Sequence, residues 1–155
     1  NNVYGQNATH VGINIAGSSI GQNNTVHGNA GIGMQVADNG QLLNNDIYAN
    51  TGAGITYTVG SYNISGVIAG NHIDSNAIGI NGAVYSGYLG PLIENNLVYQ
   101  NTSSGVVVTG IGAKLINNTI YQSVGSAIVV QASASNVTIE NNILWSDLGS
   151  IVGVA

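Results

Sequence analysis

Apolar and polar positions along this chain follow a fixed order that returns about every two dozen residues. The clearest phrase is Asn45-Asp46-Ile47-Tyr48-Ala49-Asn50: an asparagine, a variable residue, an aliphatic, usually a ring-bearing residue, a variable residue and a polar one. Its first position is filled by Asn1, Asn24, Asn45, Asn71, Asn96, Asn118 and Asn142, so 141 residues hold six repeats and the mean period is 23.5. Self-similarity at such a period marks a solenoid. Two places after each leading asparagine stand Val3, Val26, Ile47, Ile73, Val98, Ile120 and Leu144. Three places before it stand Leu42, Ile68, Ile93, Leu115 and Ile139, broken only by Gly21. Columns this uniformly apolar predict one continuous core.

The residue just before the leading asparagine is Asn23, Asn44, Gly70, Asn95, Asn117 or Asn141. Asn and Gly tolerate positive φ, which predicts a left-handed corner between two inward aliphatics. Asn24, Asn45, Asn71, Asn96, Asn118 and Asn142 then stack inside that corner, and their amides are expected to form a hydrogen-bonded ladder along the axis. After the corner strand a polar residue (Gln6, Asn29, Asn50, Asn76, Asn101, Ser123, Asp147) leads into a Gly/Ala/Ser-rich bend. A second run follows, such as Ile32-Gly-Met34-Gln-Val36 or Ile55-Thr-Tyr57-Thr-Val59, alternating as a strand with one inward face does. About three short strands per coil predict an all-β, right-handed parallel β-helix of about seven coils, a single domain over residues 1–155.

The phrases Ile93-Glu94-Asn95-Asn96-Leu97-Val98-Tyr99, Leu115-Ile116-Asn117-Asn118-Thr119-Ile120-Tyr121 and Ile139-Glu140-Asn141-Asn142-Ile143-Leu144 resemble the parallel β-helix repeat of the pectin-lyase-like superfamily. The resemblance covers nearly the whole chain. It implies the fold and leaves activity open, because that scaffold carries lyases, hydrolases, epimerases, adhesins and viral tailspikes. The chain departs from the enzymatic members at their own motifs. Pectate lyases imply a basic catalytic residue beside calcium-binding acids, whereas this chain has no Arg and no Asp flanking Lys114. The clustered aspartates of polygalacturonase-like members are missing. So is the Asp-Pro-His-Asp motif of alginate epimerases, since the only proline is Pro91.

Charge narrows the partners. One Lys and no Arg against six acids give a net charge of −5, which argues against nucleic acid and anionic membrane surfaces. Apolar stretches are far too short to span a bilayer. Without Cys there is no disulfide and no thiolate metal site. No cofactor is called for. Low charge and Asn-rich coils, by association with similar folds, place the chain outside the cell or on its surface. Neither terminal coil carries a polar cap or helix, so the ends call for copies of the chain or adjacent coils of a longer one.

Three groups of residues are candidates for chemistry. One place beyond the inward aliphatic runs an outward file, Tyr4, His27, Tyr48, Asp74, Tyr99, Tyr121 and Trp145. Tyr48, Tyr99, Tyr121 and Trp145 offer a glycan platform or a lateral interface, although a self-stacking ladder explains the file without any ligand. Asp46 and His72 fall on neighbouring coils with Asp74 close by, an arrangement open to acid–base work or a divalent cation but lacking a positive clamp. Glu94, Lys114 and Glu140 are expected to form a surface ion network, and His10 to sit in a turn. The functional expectation is a non-catalytic extracellular structural or adhesive module. Its alternatives are a carbohydrate-active lyase, hydrolase or epimerase scaffold using Asp46, His72 and Asp74, and a glycan-binding module using the aromatic file.

Overall fold

A computed structural model of the chain describes residues 1–60, 65–84 and 87–154. Among the described residues, twenty short strands alternate among three parallel sheets. The first sheet is built from Asn2–Tyr4, Thr25–His27, Asp46–Tyr48, His72–Asp74, Leu97–Tyr99, Thr119–Gln122 and Ile143–Ser146. The second runs from Ile13–Ile15 to Val152–Val154 in seven strands, and the third from Ile20–Gln22 to Thr138–Glu140 in six. The solenoid therefore has about six turns; the seventh repeat of the sequence adds strands to two sheets without a third-sheet strand of its own. Register follows the repeat, with Ile47 beside Val26 and Ile73, and Val98 beside Ile73 and Ile120.

The corner forms as its residue types dictate. Asn23, Asn44, Gly70, Asn95, Asn117 and Asn141 all have φ between 54° and 66°, so third-sheet strands turn into first-sheet strands through a single left-handed residue. Val26, Leu42, Ile47, Ile68, Ile73, Ile93, Leu115 and Ile120 fill the core. Inside the corner each leading amide bonds the next: Asn45 Nδ2 and its backbone N–H both donate to Asn71 Oδ1 at 2.9 Å, and the pattern runs from Asn24 to Asn142.

A second ladder lies where the sequence showed only a polar residue ahead of a bend. Asn29, Asn50, Asn76 and Asn101 are buried, and the side chain of each of the last three accepts from the backbone and amide of the one before, at 2.8–3.3 Å. The next rung is Gln122, not Ser123. It is fully buried, with neither amide atom hydrogen-bonded among the described residues.

Tyr57 is the bulkiest fully buried side chain. Its hydroxyl donates to the Asp38 carbonyl and accepts from the Gly66 N–H, each at 3.1 Å. Burial raises the phenol above its ordinary pKa; the Gly66 bond opposes this and the Asp38 charge adds to it. A raised folded value means the contribution of the neutral phenol is complete below about pH 10 and disappears as pH climbs through the folded value. Thermal melts should therefore show stability falling above about pH 10. Tyr57→Phe, less stable at neutral pH by about 1–3 kcal/mol for the stranded backbone groups, should lose that alkaline slope.

Candidate functional site

Alternation along the first sheet sends one residue of each strand inward and its two flankers outward, so the outer face is a grid two columns wide. One column reads Asn2, Thr25, Asp46, His72, Leu97, Thr119 and Ile143, the other Tyr4, His27, Tyr48, Asp74, Tyr99, Tyr121 and Trp145. With strands about 4.8 Å apart, the grid extends for about 29 Å along the axis.

The aromatic file divides into two parts with different geometry. Tyr4, His27 and Tyr48 stack on one another, with ring centroids 5.3 and 4.8 Å apart and planes within 18° and 4°. Only the His27 ring is covered on both faces, and this stretch is the self-stacking ladder, with Tyr4 at its end 63% exposed. Beyond Asp74 the file changes. Tyr121 Oη donates to Asp147 Oδ2 at 2.9 Å and Trp145 Nε1 to Asp147 Oδ1 at 2.6 Å. One carboxylate thus ties two rings on adjacent strands, while Trp145 stays 64% and Ile143 70% exposed. That hydrogen bond, with lesser contributions from burial and the Asp147 charge, raises the Tyr121 pKa. Asp147 had no role in the sequence beyond a polar position before a bend; the signal was its place two residues after Trp145, on the same outward side.

Between the two parts lies the Asp/His group, brought together as its spacing predicts. His72 Nδ1 lies 3.0 Å from Asp46 Oδ1, both side chains nearly half exposed. Asp46, His72 and Asp74 each offer a donor atom, all within 4.8 Å of one another, a set that suits a divalent cation preferring mixed imidazole and carboxylate ligands. Ser75 Oγ donates to Asp74 Oδ2 at 2.8 Å. The Tyr99 ring leans on the His72 imidazole at 5.2 Å, tilted by 32°. Burial, followed by the charge of Asp74 and a hydrogen bond to it, holds the Tyr99 phenol protonated above its usual range. The group can therefore orient an imidazole through Asp46 and present a neutral phenol beside it. His27, a member of the outward file, stacks between tyrosines and contacts Asn2 Oδ1 at 3.1 Å.

The expected Lys114 network does not form among the described residues, where His72–Asp46 is the only ion pair. Register explains this: Lys114 starts its strand opposite Leu92 and Thr138, whereas Glu94 and Glu140 flank Ile116 at the strand's far end. His10 sits in a turn as expected, its Nδ1 in contact with Asn7 Oδ1 and Thr9 Oγ1. A cavity of about 280 Å³ beside the third sheet is lined by Ser65, Leu89, Pro91, Leu92 and Lys114, none of which belongs to the sheet that carries the Asp/His group.

No protein-family model and no curated protein sequence matches the chain. Solved structures do. The A-module of the mannuronan C-5 epimerase AlgE6 from Azotobacter vinelandii aligns with a TM-score of 0.73 at 21% identity, over 99% of this chain and 51% of that one. A mutant of the periplasmic alginate epimerase AlgG aligns at 0.71 and 19% identity, over 86% of this chain and 32% of that one. The A-module of AlgE4 from the same Azotobacter aligns at 0.60 and 18% identity, over 99% and 53%. The chain thus spans from about a third to about half the length of the proteins it matches. Identities this low speak for architecture alone, and the architecture is shared throughout: this chain has the right-handed parallel β-helix fold of the pectin-lyase-like proteins.

Proposed function

We propose that the chain is a carbohydrate-directed β-helix, acting outside the cytoplasm, that holds a polysaccharide along the outer face of its first sheet. The observation that carries this is the Tyr121–Asp147–Trp145 arrangement. Two rings are fixed through a shared carboxylate, with Trp145 and Ile143 left open to solvent. Sugar recognition asks for an apolar ring surface with a hydrogen-bonding group in a set place, and this pair supplies both. The grid continues through Tyr99 to the Asp46–His72–Asp74 group, so a bound chain running along the axis would pass an oriented imidazole and a neutral phenol. The similar structures named as epimerases of mannuronan and alginate support the carbohydrate-directed class.

Trp145→Ala should weaken binding to immobilised glycans by at least about tenfold, a loss of about 1.4 kcal/mol, with the far-ultraviolet spectrum unchanged. Binding that is indifferent to Trp145 would remove the basis of the proposal. A catalytic form of the same reading predicts product release from a polysaccharide, abolished by His72→Ala and by Asp46→Ala.

A structural or adhesive module is the second reading, and the stack of Tyr4, His27 and Tyr48 favours it, since that part of the face packs on itself without any ligand. Sedimentation at rising concentration tests self-association; a single monomeric species throughout counts against it.

A further inference from the structure

The chain's single Lys or Arg borders the cavity beside the third sheet. Lys114 is exposed and forms one side of that space of about 280 Å³, with Leu89, Pro91 and Leu92 as its apolar wall and Ser65 as its only side-chain hydroxyl. Three consecutive coils build the walls and are tied to one another. Ser65 Oγ donates to the Gly90 carbonyl at 2.7 Å, the Gly90 N–H to the Ile111 carbonyl at 2.9 Å and the Lys114 N–H to the Pro91 carbonyl at 3.1 Å. Pro91 adds a fixed φ, and at Gly112, also part of the lining, nothing lies within 4 Å of where a Cβ would stand. The space is thus preformed, as ligand pockets are. The cation beside it is unspent: among the described residues His72–Asp46 is the only ion pair, and Glu94 and Glu140 flank Ile116 at the far end of the Lys114 strand.

We infer that this cavity binds a small monocarboxylate with an apolar body. Size sets the body: an apolar cavity of about 150 Å³ holds benzene, so about 280 Å³ takes a ring with a short tail. The lining sets its polarity. The side chains of Leu89, Pro91 and Leu92 offer no hydrogen bonds, and the Ser65 hydroxyl proton is already given to Gly90. A sugar, with a hydroxyl on most of its carbons, would bury several of them unpaired against such a wall. Charge sets the head group. The Lys114 ammonium has three donors and one positive charge, which a carboxylate answers with a charge-assisted bond. A phosphate dianion would bring a second negative charge to a chain that already carries −5. This site stands apart from the polysaccharide reading, since none of its residues lies on the first sheet.

The test titrates phenylpropionate, its neutral counterpart phenylpropanamide, and glucuronate into isotope-labelled protein, followed by heteronuclear NMR at about pH 7, where a free carboxylate is ionised. Phenylpropionate should shift the methyl signals of Leu89 and Leu92 and the Cε–Hε signal of Lys114, with a Kd on the order of 1 mM for a ligand of about eleven non-hydrogen atoms. The amide should bind at the same residues about fivefold more weakly, the scale of one charge-assisted bond at an exposed cation, and the gap should close in high salt. Lys114→Gln should bring the acid down to the affinity of the amide and leave the amide unchanged, whereas Lys114→Arg should keep the gap. Leu92→Ser should weaken both alike. Equal affinity for acid and amide in the unaltered protein, or a gap that survives Lys114→Gln, would overturn the carboxylate assignment. Glucuronate binding tighter than phenylpropionate would overturn the apolar body. Shifts confined to other residues, or none at millimolar ligand, would overturn the site itself.

Discussion

Asn71→Ala should destabilise the protein by about 2–4 kcal/mol, from one buried backbone N–H left unpaired at about 1–3 kcal/mol together with the lost bonds. In the intact solenoid Asn71 Oδ1 accepts from the Asn45 backbone N–H and from Asn45 Nδ2, both at 2.9 Å. Its own Nδ2 donates to the Leu42 and Ala69 carbonyls and to Asn96 Oδ1. Alanine removes every one of these. Asn45 Nδ2 keeps its bond to the Gly21 carbonyl, the Ala69 carbonyl keeps the Asn44 N–H and Leu42 stays paired with Ile68 in the sheet, but the Asn45 N–H loses its acceptor inside a corner that excludes water. Asn142→Ala is the comparison. The same bonds are made there at a half-buried last rung, where water can replace them, and about 1 kcal/mol is expected. Urea unfolding followed by circular dichroism separates the two. Equal, small losses at both positions would mean that the ladder is an ornament of the corner rather than a support for it.

The corner ladder was legible in the sequence because every rung is an asparagine at one phase of the repeat, preceded by a residue type that tolerates positive φ. The second ladder was not, for a physical reason. Its rungs are preceded by Gly28, Ala49, Ser75 and Gln100, each with φ between 50° and 61°. Ala49 and Gln100 are not residues that announce a left-handed bend, and the column itself shifts by one residue at Gln122. Tertiary packing imposes that corner on side chains with no local preference for it.

The site divides in the same way. Adjacency of Asp46 and His72 follows from register alone, since any two residues one period apart on the same strand face are neighbours. What register could not give was side-chain direction. Whether the outward rings show faces or edges depends on rotamers, and whether Tyr121 and Trp145 are free or tethered depends on Asp147 folding back across the last strand. Lys114 shows the converse: three outward charged residues on adjacent coils looked paired, yet a two-residue offset along the strands keeps them apart.

Gly79→Ala should cost about 3 kcal/mol, at the upper end of what overpacking a well-filled interior produces. A Cβ at Gly79 would stand 2.5 Å from the Gly105 carbonyl oxygen, 2.6 Å from Val98 Cγ1 and 2.9 Å from Asn101 Nδ2. Gly12, Gly33, Gly54 and Gly105 meet the same two obstacles, the backbone oxygen of the following coil and the amide of its inner ladder. The backbone oxygen cannot retreat without stretching the sheet, and at Gly79 the Asn101 amide cannot move without giving up its bonds to Asn76 and to the Tyr99 carbonyl. Position 127 shows the requirement by its exception. There the column holds Ala127, fully buried, and the following coil brings Ser146, the register partner of Gln122, whose hydroxyl donates to the Gly125 carbonyl, in place of an amide. A glycine is therefore needed only beneath a ladder rung. Ala127→Gly should accordingly cost no more than the about 0.5–1 kcal/mol of added chain freedom and lost contact. If Gly79→Ala unfolds at the same denaturant concentration as the unaltered protein, the inner ladder has slack, and the close stacking of coils inferred from it does not hold.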